Sequence, residues 1–88
     1  MRRVVWSQNA QSDLLGIRAY VDQFAPLAAQ RLAMRLIAAA ESLSEYPFRG
    51  RSIGLGRRAL MTLPPYQIRY RVTSDSVEII AIRHGARK

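Results

Sequence analysis

Residues 66–87 read YQIRYRVTSDSVEIIAIRHGAR, and their periodicity decides the fold. Tyr66, Ile68, Tyr70 and Val72 alternate with Gln67, Arg69, Arg71 and Thr73. A period of two marks a strand with one buried and one wetted face. Ser74-Asp75-Ser76 supplies turn chemistry, because short polar side chains bond nearby backbone. Val77 to Ile82 is apolar on both sides except at Glu78, which predicts a central strand. The two strands are expected to pair as an antiparallel hairpin. That pairing puts Arg69 and Arg71 on an open face and brings Arg83, His84 and Arg87 to the end of the central strand.

Upstream, the pattern changes to that of helices. Arg3 to Trp6 reads as a short first strand, and Ser7 as the N-cap of a helix opening at Gln8. Ala10, Leu14, Ile17, Val21 and Phe24 recur at spacings of three and four and form its apolar stripe. Asp13, Arg18 and Asp22 lie off the stripe and read as a solvated face. Pro26 suits the first turn of a second helix, from about Leu27 to Glu45, with Ala29, Leu32, Leu36, Ala39, Ala40 and Leu43 inward. So short a connection folds the two helices back as a hairpin. Tyr46-Pro47 stops the second helix, and Phe48 to Gly56 reads as a loop. Arg57 to Leu63 is extended, and Pro64-Pro65 ends it by removing two ladder donors. The expected fold is α+β, a single domain over residues 1–88 in the order β-α-α-β-β-β: an antiparallel sheet with an N-terminal helical hairpin packed on one face.

Charge is the informative part of the composition. The formal net charge of the 88 residues is +8, and Lys88 is the only lysine. Residues 1–48 carry five arginines against four carboxylates, a net of +1, and residues 49–88 carry eight arginines and Lys88 against Asp75 and Glu78, a net of +7. A surplus confined to the sheet half implies an anionic partner there, either a nucleic acid or an acidic protein. Arginine serves both, since its fork pairs with phosphate and carboxylate. One histidine, no cysteine and scattered carboxylates do not make a metal ligand set. Gly54-x-Gly56 is too short for a phosphate-binding fingerprint and follows no strand–helix unit, so no cofactor is expected. The absence of cysteine fits a reducing compartment. No signal peptide is evident, and no run reaches the roughly 18 apolar residues of a membrane span. The expected location is the cytoplasm, with no membrane partner.

An ordered set of residues then carries a family resemblance. A strand ends in Trp6 and is followed by a helical hairpin with Asp13-Leu14 and Ile17. Next come Pro47-x-x-Gly50-Arg51, Arg58 before a strand, Tyr66-x-Ile68-x-Tyr70-Arg71-Val72, and Ile82-x-His84-x-x-Arg87. Spread over nearly the whole chain, this set resembles the RelE/ParE superfamily of small toxins from type II toxin–antitoxin systems. The resemblance implies a toxin held silent by a cognate antitoxin of the ParD or RelB kind, with roles such as plasmid stabilisation. Nucleic acid is then met only indirectly, through the complex. RelE-like members cut mRNA on the ribosome; ParE-like members act on DNA gyrase and lack an acid/base set. The closing His84-Gly85-Ala86-Arg87 has no terminal aromatic, and Gln67 stands where some RNase members have a basic residue. Both departures favour the ParE-like reading.

If the chain were a ribonuclease, Arg51, Arg58, Arg71, Arg83 and His84 would be the catalytic candidates, with cations on the phosphate and His84 as acid or base. The bland alternative for His84 is a strand-end residue bonded to backbone. For antitoxin or another anionic partner the candidates are Arg51, Arg58, Arg69, Arg71, Arg83 and Arg87; solvated surface charge is the alternative. Tyr66, Tyr70 and Trp6 read as core. A plain nucleic-acid-binding module without toxicity is a third class, and its affinity would fall steeply with salt.

Overall fold

The computed structural model describes residues 1–85. Five strands and two helices follow in the order β1 (Arg3–Trp6), α1 (Gln8–Asp22), α2 (Pro26–Glu41), β2 (Arg51–Gly54), β3 (Arg57–Leu63), β4 (Tyr66–Val72) and β5 (Ser76–His84). A 3-10 turn over Ser42–Ser44 continues α2. The sheet order is β1-β5-β4-β3-β2. The expected α+β class and helical hairpin are present, with two differences. The sheet is mixed, because β1 pairs parallel to β5 while the remaining pairs are antiparallel. The two helices carry the chain from β1 to β2 at the far edge, and three antiparallel steps from there bring β5 back beside β1 in the same direction. The expected loop over 48–56 also contains strand β2, all four of whose residues are exposed. With no buried face it has no alternation, and only pairing to β3 defines it.

Local chemistry fixes the elements. The Ser7 hydroxyl caps α1 by accepting from the Ala10 N–H at 3.0 Å and donates to the Ile80 carbonyl at 2.9 Å, so one side chain starts the helix and ties it to the sheet. Pro26 opens α2 at its first turn. Gly54, Leu55 and Gly56 all have positive φ, and Leu55 and Gly56 form the two-residue β2–β3 connection. Positive φ at both loop residues matches the twist of a hairpin, and glycine adopts it without steric cost.

The core lies between the helices and one face of the sheet. Leu36, Leu43, Tyr70, Val77 and Ile79 are its largest fully buried side chains, each contributing about 1.5–3 kcal/mol by leaving water. Ala10, Ala29 and Ala40 are fully buried and let the helices sit close. Phe24, expected on the α1 stripe, is instead exposed beyond the helix end and stacks edge-on with Tyr20. The helix stops at Asp22, so Phe24 falls out of its periodicity.

One irregularity decides where the arginines point. The β4–β5 register runs Arg71↔Glu78, Tyr70↔Ile79, then Arg69↔Ala81, which leaves Ile80 as a bulge. A bulge inserts one residue and reverses the phase of alternation. Before it Val77 and Ile79 face the helices; after it Ile82 and His84 do. Arg83 is thereby turned to the far face, opposite Gln67 and beside Arg69.

Candidate functional site

The face of the sheet away from the helices gathers the basic residues in cross-strand rows. One row runs Arg51, Ala59, Arg69, Ala81. The next runs Arg57, Arg71, Glu78, and Gln67 lies opposite Arg83. Directly opposed side chains share a face, so Arg51, Arg57, Arg69, Arg71 and Arg83 all project to this side. Among the described residues these rows place five guanidinium groups against the single carboxylate of Glu78. Arg57 is absent from the sequence-based candidates; its place opposite Arg71 could be found only from the register.

The expected residues divide into two kinds. Arg58 does not join the basic face. It lies opposite Tyr70 on the helix side, donates to the Gly50 carbonyl at 2.7 Å and covers the Phe48 ring with its guanidinium at 4.9 Å from the ring centre. Those contacts hold the loop before β2. Arg71 is on the open face, with Nη2 2.9 Å from Glu78 Oε1, which neutralises part of its field. Arg51 and Arg83 are exposed, and Arg69 is half-buried. Arg87 lies outside the described residues. His84 is half-buried and faces Tyr66 edge-on, with ring centres 5.6 Å apart.

Arg69 is the unusual member. Its Nε is buried and makes no hydrogen bond, and Nη2 reaches only Gln67 Oε1 at 3.5 Å. Its cross-strand neighbours Ala59 and Ala81 are nearly inaccessible although they sit on the open face. Small residues flanking a long aliphatic stem account for that burial.

A groove of about 750 Å³ lies beside Arg69, along the rim of β5 that β1 leaves unpaired. Asp13, Gly16, Ile17 and Tyr20 of α1 form one wall, and Tyr66, Arg69, Ile82, Arg83 and His84 the other. Asp13 is not the solvated residue expected from the helix pattern. Its Oδ2 accepts from the Ile82 N–H at 2.9 Å, covering the exposed edge of β5. The signal that could have found it is weak: a carboxylate two turns into a helix that starts at a sheet edge.

Tyr70 fills the core as expected, and its hydroxyl does more than fill space. It donates to the Pro47 carbonyl at 2.7 Å and accepts from the Gly50 N–H at 2.8 Å. Burial pushes its pKa above the ordinary tyrosine value, partly opposed by the Gly50 N–H and by Arg58 and Arg49. Gly50 has no room for a side chain; a Cβ there would stand 2.7 Å from the Tyr70 hydroxyl and 2.8 Å from the Ala59 carbonyl. Among the described residues no group of three His, Asp or Glu is placed to hold a metal ion. No helix among them is long and apolar enough to cross a membrane.

Comparison with known proteins gives this architecture a lineage. The family model described as the ParE toxin of the type II toxin–antitoxin system, parDE, matches residues 4–88. The chain belongs to the ParE toxin family. It is 54% identical over 87 residues to Toxin RelE2 of Caulobacter vibrioides, covering 99% of each chain. It is 38% identical over 86 residues to Toxin RelE1 of the same organism, covering 93% of this chain and 91% of the relative. In structure it matches a chain of the chromosomal ParDE toxin–antitoxin system from P. aeruginosa with a TM-score of 0.83, 23% identity and 96% of both chains covered. That likeness concerns the fold. As a ParE-family toxin of a type II system, the chain has a cognate antitoxin as its expected partner.

Proposed function

We propose that this ParE-family chain arrests growth as a binding poison of DNA gyrase and that its antitoxin silences it. The observation that carries this reading is the dispersal of the residues an RNA-cleaving site would need. Arg58 is held by Gly50 and Phe48 on the helix side, and Arg71 is tied to Glu78. His84 lies against Tyr66 on the side opposite Arg51 and Arg71. General acid/base catalysis requires donor, base and charge stabiliser around one reacting atom. Arg83 and His84 share the groove beside Arg69, but Arg51, Arg58 and Arg71 do not line it with them. Arg51, Arg57, Arg69, Arg71 and Arg83 form instead a broad cationic face suited to an acidic or phosphate-bearing surface.

The RelE name of the two Caulobacter relatives keeps a second reading in view, ribosome-dependent mRNA cleavage through the sheet arginines and His84. One paired experiment separates the two. Purified protein is added to a gyrase supercoiling assay at micromolar concentration, and mRNA ends are mapped after induction of the chain alone. Inhibited supercoiling with intact mRNA is expected. Unaffected gyrase together with new 5′ ends in translated messages would overturn the gyrase reading in favour of RNA cleavage.

A further inference from the structure

The face of the sheet away from the helices has a composition that narrows its partner. Its rows carry Arg51, Arg57, Arg69, Arg71 and Arg83 against Glu78. Among the described residues no aromatic side chain stands in those rows. Trp6, Tyr66 and Tyr70 belong to the helix side. Tyr20 and Phe24 are exposed at the end of α1, and Phe48 lies under Arg58. In the middle row Ala59 and Ala81 rise no higher than a methyl group, so the guanidinium groups stand over a low floor. Neighbouring strands lie about 4.8 Å apart, which puts Arg51 on β2 and Arg83 on β5 about 14 Å apart across the sheet.

We propose that this face lies directly on the phosphate backbone of a nucleic-acid duplex and holds it by charge, without reading base sequence. Charge complementarity names the occupant: residues 49–88, which supply all five arginines, carry a net of +7. A patch about 14 Å across exceeds the roughly 12 Å major groove and the roughly 6 Å minor groove, so it reaches phosphates on both sides of either. Each guanidinium fork matches a phosphate. Other anionic partners fit less well. A single strand is held by stacking its bases on aromatic rings, and the face has none. A protein partner is anchored by aromatic side chains at the centre of its interface, and the centre here is alanine. Lipid surfaces take up Trp, Phe or Leu beside the cations, and the exposed Tyr20 and Phe24 belong to the end of α1. Glu78 restrains the face, since its Oε1 stands 2.9 Å from Arg71 Nη2. That the duplex met in the cell is the one gyrase holds rests on the reading above; the face itself does not.

The test uses the full chain and fluorescent DNA and RNA duplexes of about 20 base pairs, with anisotropy read between about 50 and 200 mM salt. A second DNA sequence, a single strand of equal length and phosphatidylserine vesicles are the comparison probes. The two DNA duplexes are expected to bind alike and more tightly than the single strand, with log K falling against log salt at a slope of about −4. Arg57→Gln combined with Arg83→Gln should weaken duplex binding about tenfold or more and reduce the slope by about two. Arg31→Gln combined with Arg35→Gln removes the same charge from exposed positions of α2 and should leave the affinity within about twofold. Glu78→Gln should strengthen binding about threefold and steepen the slope by about one. That gain cannot come from misfolding, so it serves where the arginine variants do not fold. The DNA and RNA duplexes tell the two sources of backbone apart, and tight binding of either supports the face. No duplex affinity, tighter binding of the single strand or the vesicles, equal weakening in the α2 variant, or no gain from Glu78→Gln would each overturn it. Gyrase inhibition is measured on the same preparations. A chain that holds duplexes yet leaves gyrase untouched loses the gyrase reading and keeps the face; the reverse result removes the face alone.

Discussion

The two faces of strand β4 differ in how far the fold uses up its polar groups. On the helix side, Tyr70 is fully buried and its hydroxyl both donates and accepts. Its cross-strand neighbour Arg58 is engaged by a carbonyl and an aromatic ring. On the far side, Arg69 keeps a buried donor without a partner, and Arg71 has one ion pair half open to water. Between neighbouring residues of one strand, one face is satisfied by the protein itself and the other keeps polar groups in reserve. Polar groups consumed by folding are poor candidates for function, and those left over are better ones.

Several substitutions would break or sharpen that contrast, and the largest effects belong to the satisfied side. Tyr70→Phe removes one hydroxyl but strands both the Pro47 carbonyl and the Gly50 N–H. Each buried orphan costs about 1–3 kcal/mol, so a loss of about 2–4 kcal/mol in urea unfolding is expected. A loss under about 0.5 kcal/mol would mean that water replaces the hydroxyl. The same residue sets an alkaline limit. Its folded pKa is raised, so the neutral form is favoured by folding, and that contribution is complete below the unfolded value of about 10. It is lost as pH climbs from there through the folded value. Stability measured above about pH 10 should therefore fall with pH in the native chain, and this component should vanish in Tyr70→Phe.

Gly50→Ala comes next. Its methyl group would overlap the Tyr70 hydroxyl and the Ala59 carbonyl, at a cost of about 1–3 kcal/mol. Thermal unfolding measures it, and an unchanged midpoint would show that the loop shifts freely. Asp13→Ala takes the acceptor from the Ile82 N–H, a loss of about 1–2 kcal/mol that Asp13→Asn should largely restore. Equal losses in the two variants would assign the effect to charge rather than to the hydrogen bond. At the small end, Arg71→Gln should change stability by less than about 1 kcal/mol, because both partners of its ion pair are well exposed. A larger change would mean that the open face also carries the fold.

The sequence discloses the satisfied side more readily than the open one. Alternation over Tyr66 to Val72 identifies Ile68 and Tyr70 as core and Arg69 and Arg71 as outward, because burial imposes that pattern directly. It is silent on Ile80, since a bulge within an apolar run leaves no compositional trace, yet that bulge turns Arg83 outward. For a related reason the sequence does not set Arg58 apart from the arginines of the open face. Its phase relative to Tyr70 depends on the β3–β4 register, which no single strand encodes. Strand β2 and the parallel placement of β1 escaped because exposed residues and strand neighbours are settled by tertiary contacts rather than by local pattern.

The unequal margins of the sheet have a consequence for assembly. Along the β1 and β5 margin, Ser44 bonds the backbone of Arg2, Gln11 bonds that of Trp6, and Ser7 and Asp13 bond Ile80 and Ile82. The opposite margin is β2, four exposed residues ending in a glycine turn. Among the described residues β2 is the short, exposed border of the sheet, and it is the edge left with its backbone groups open to a further strand.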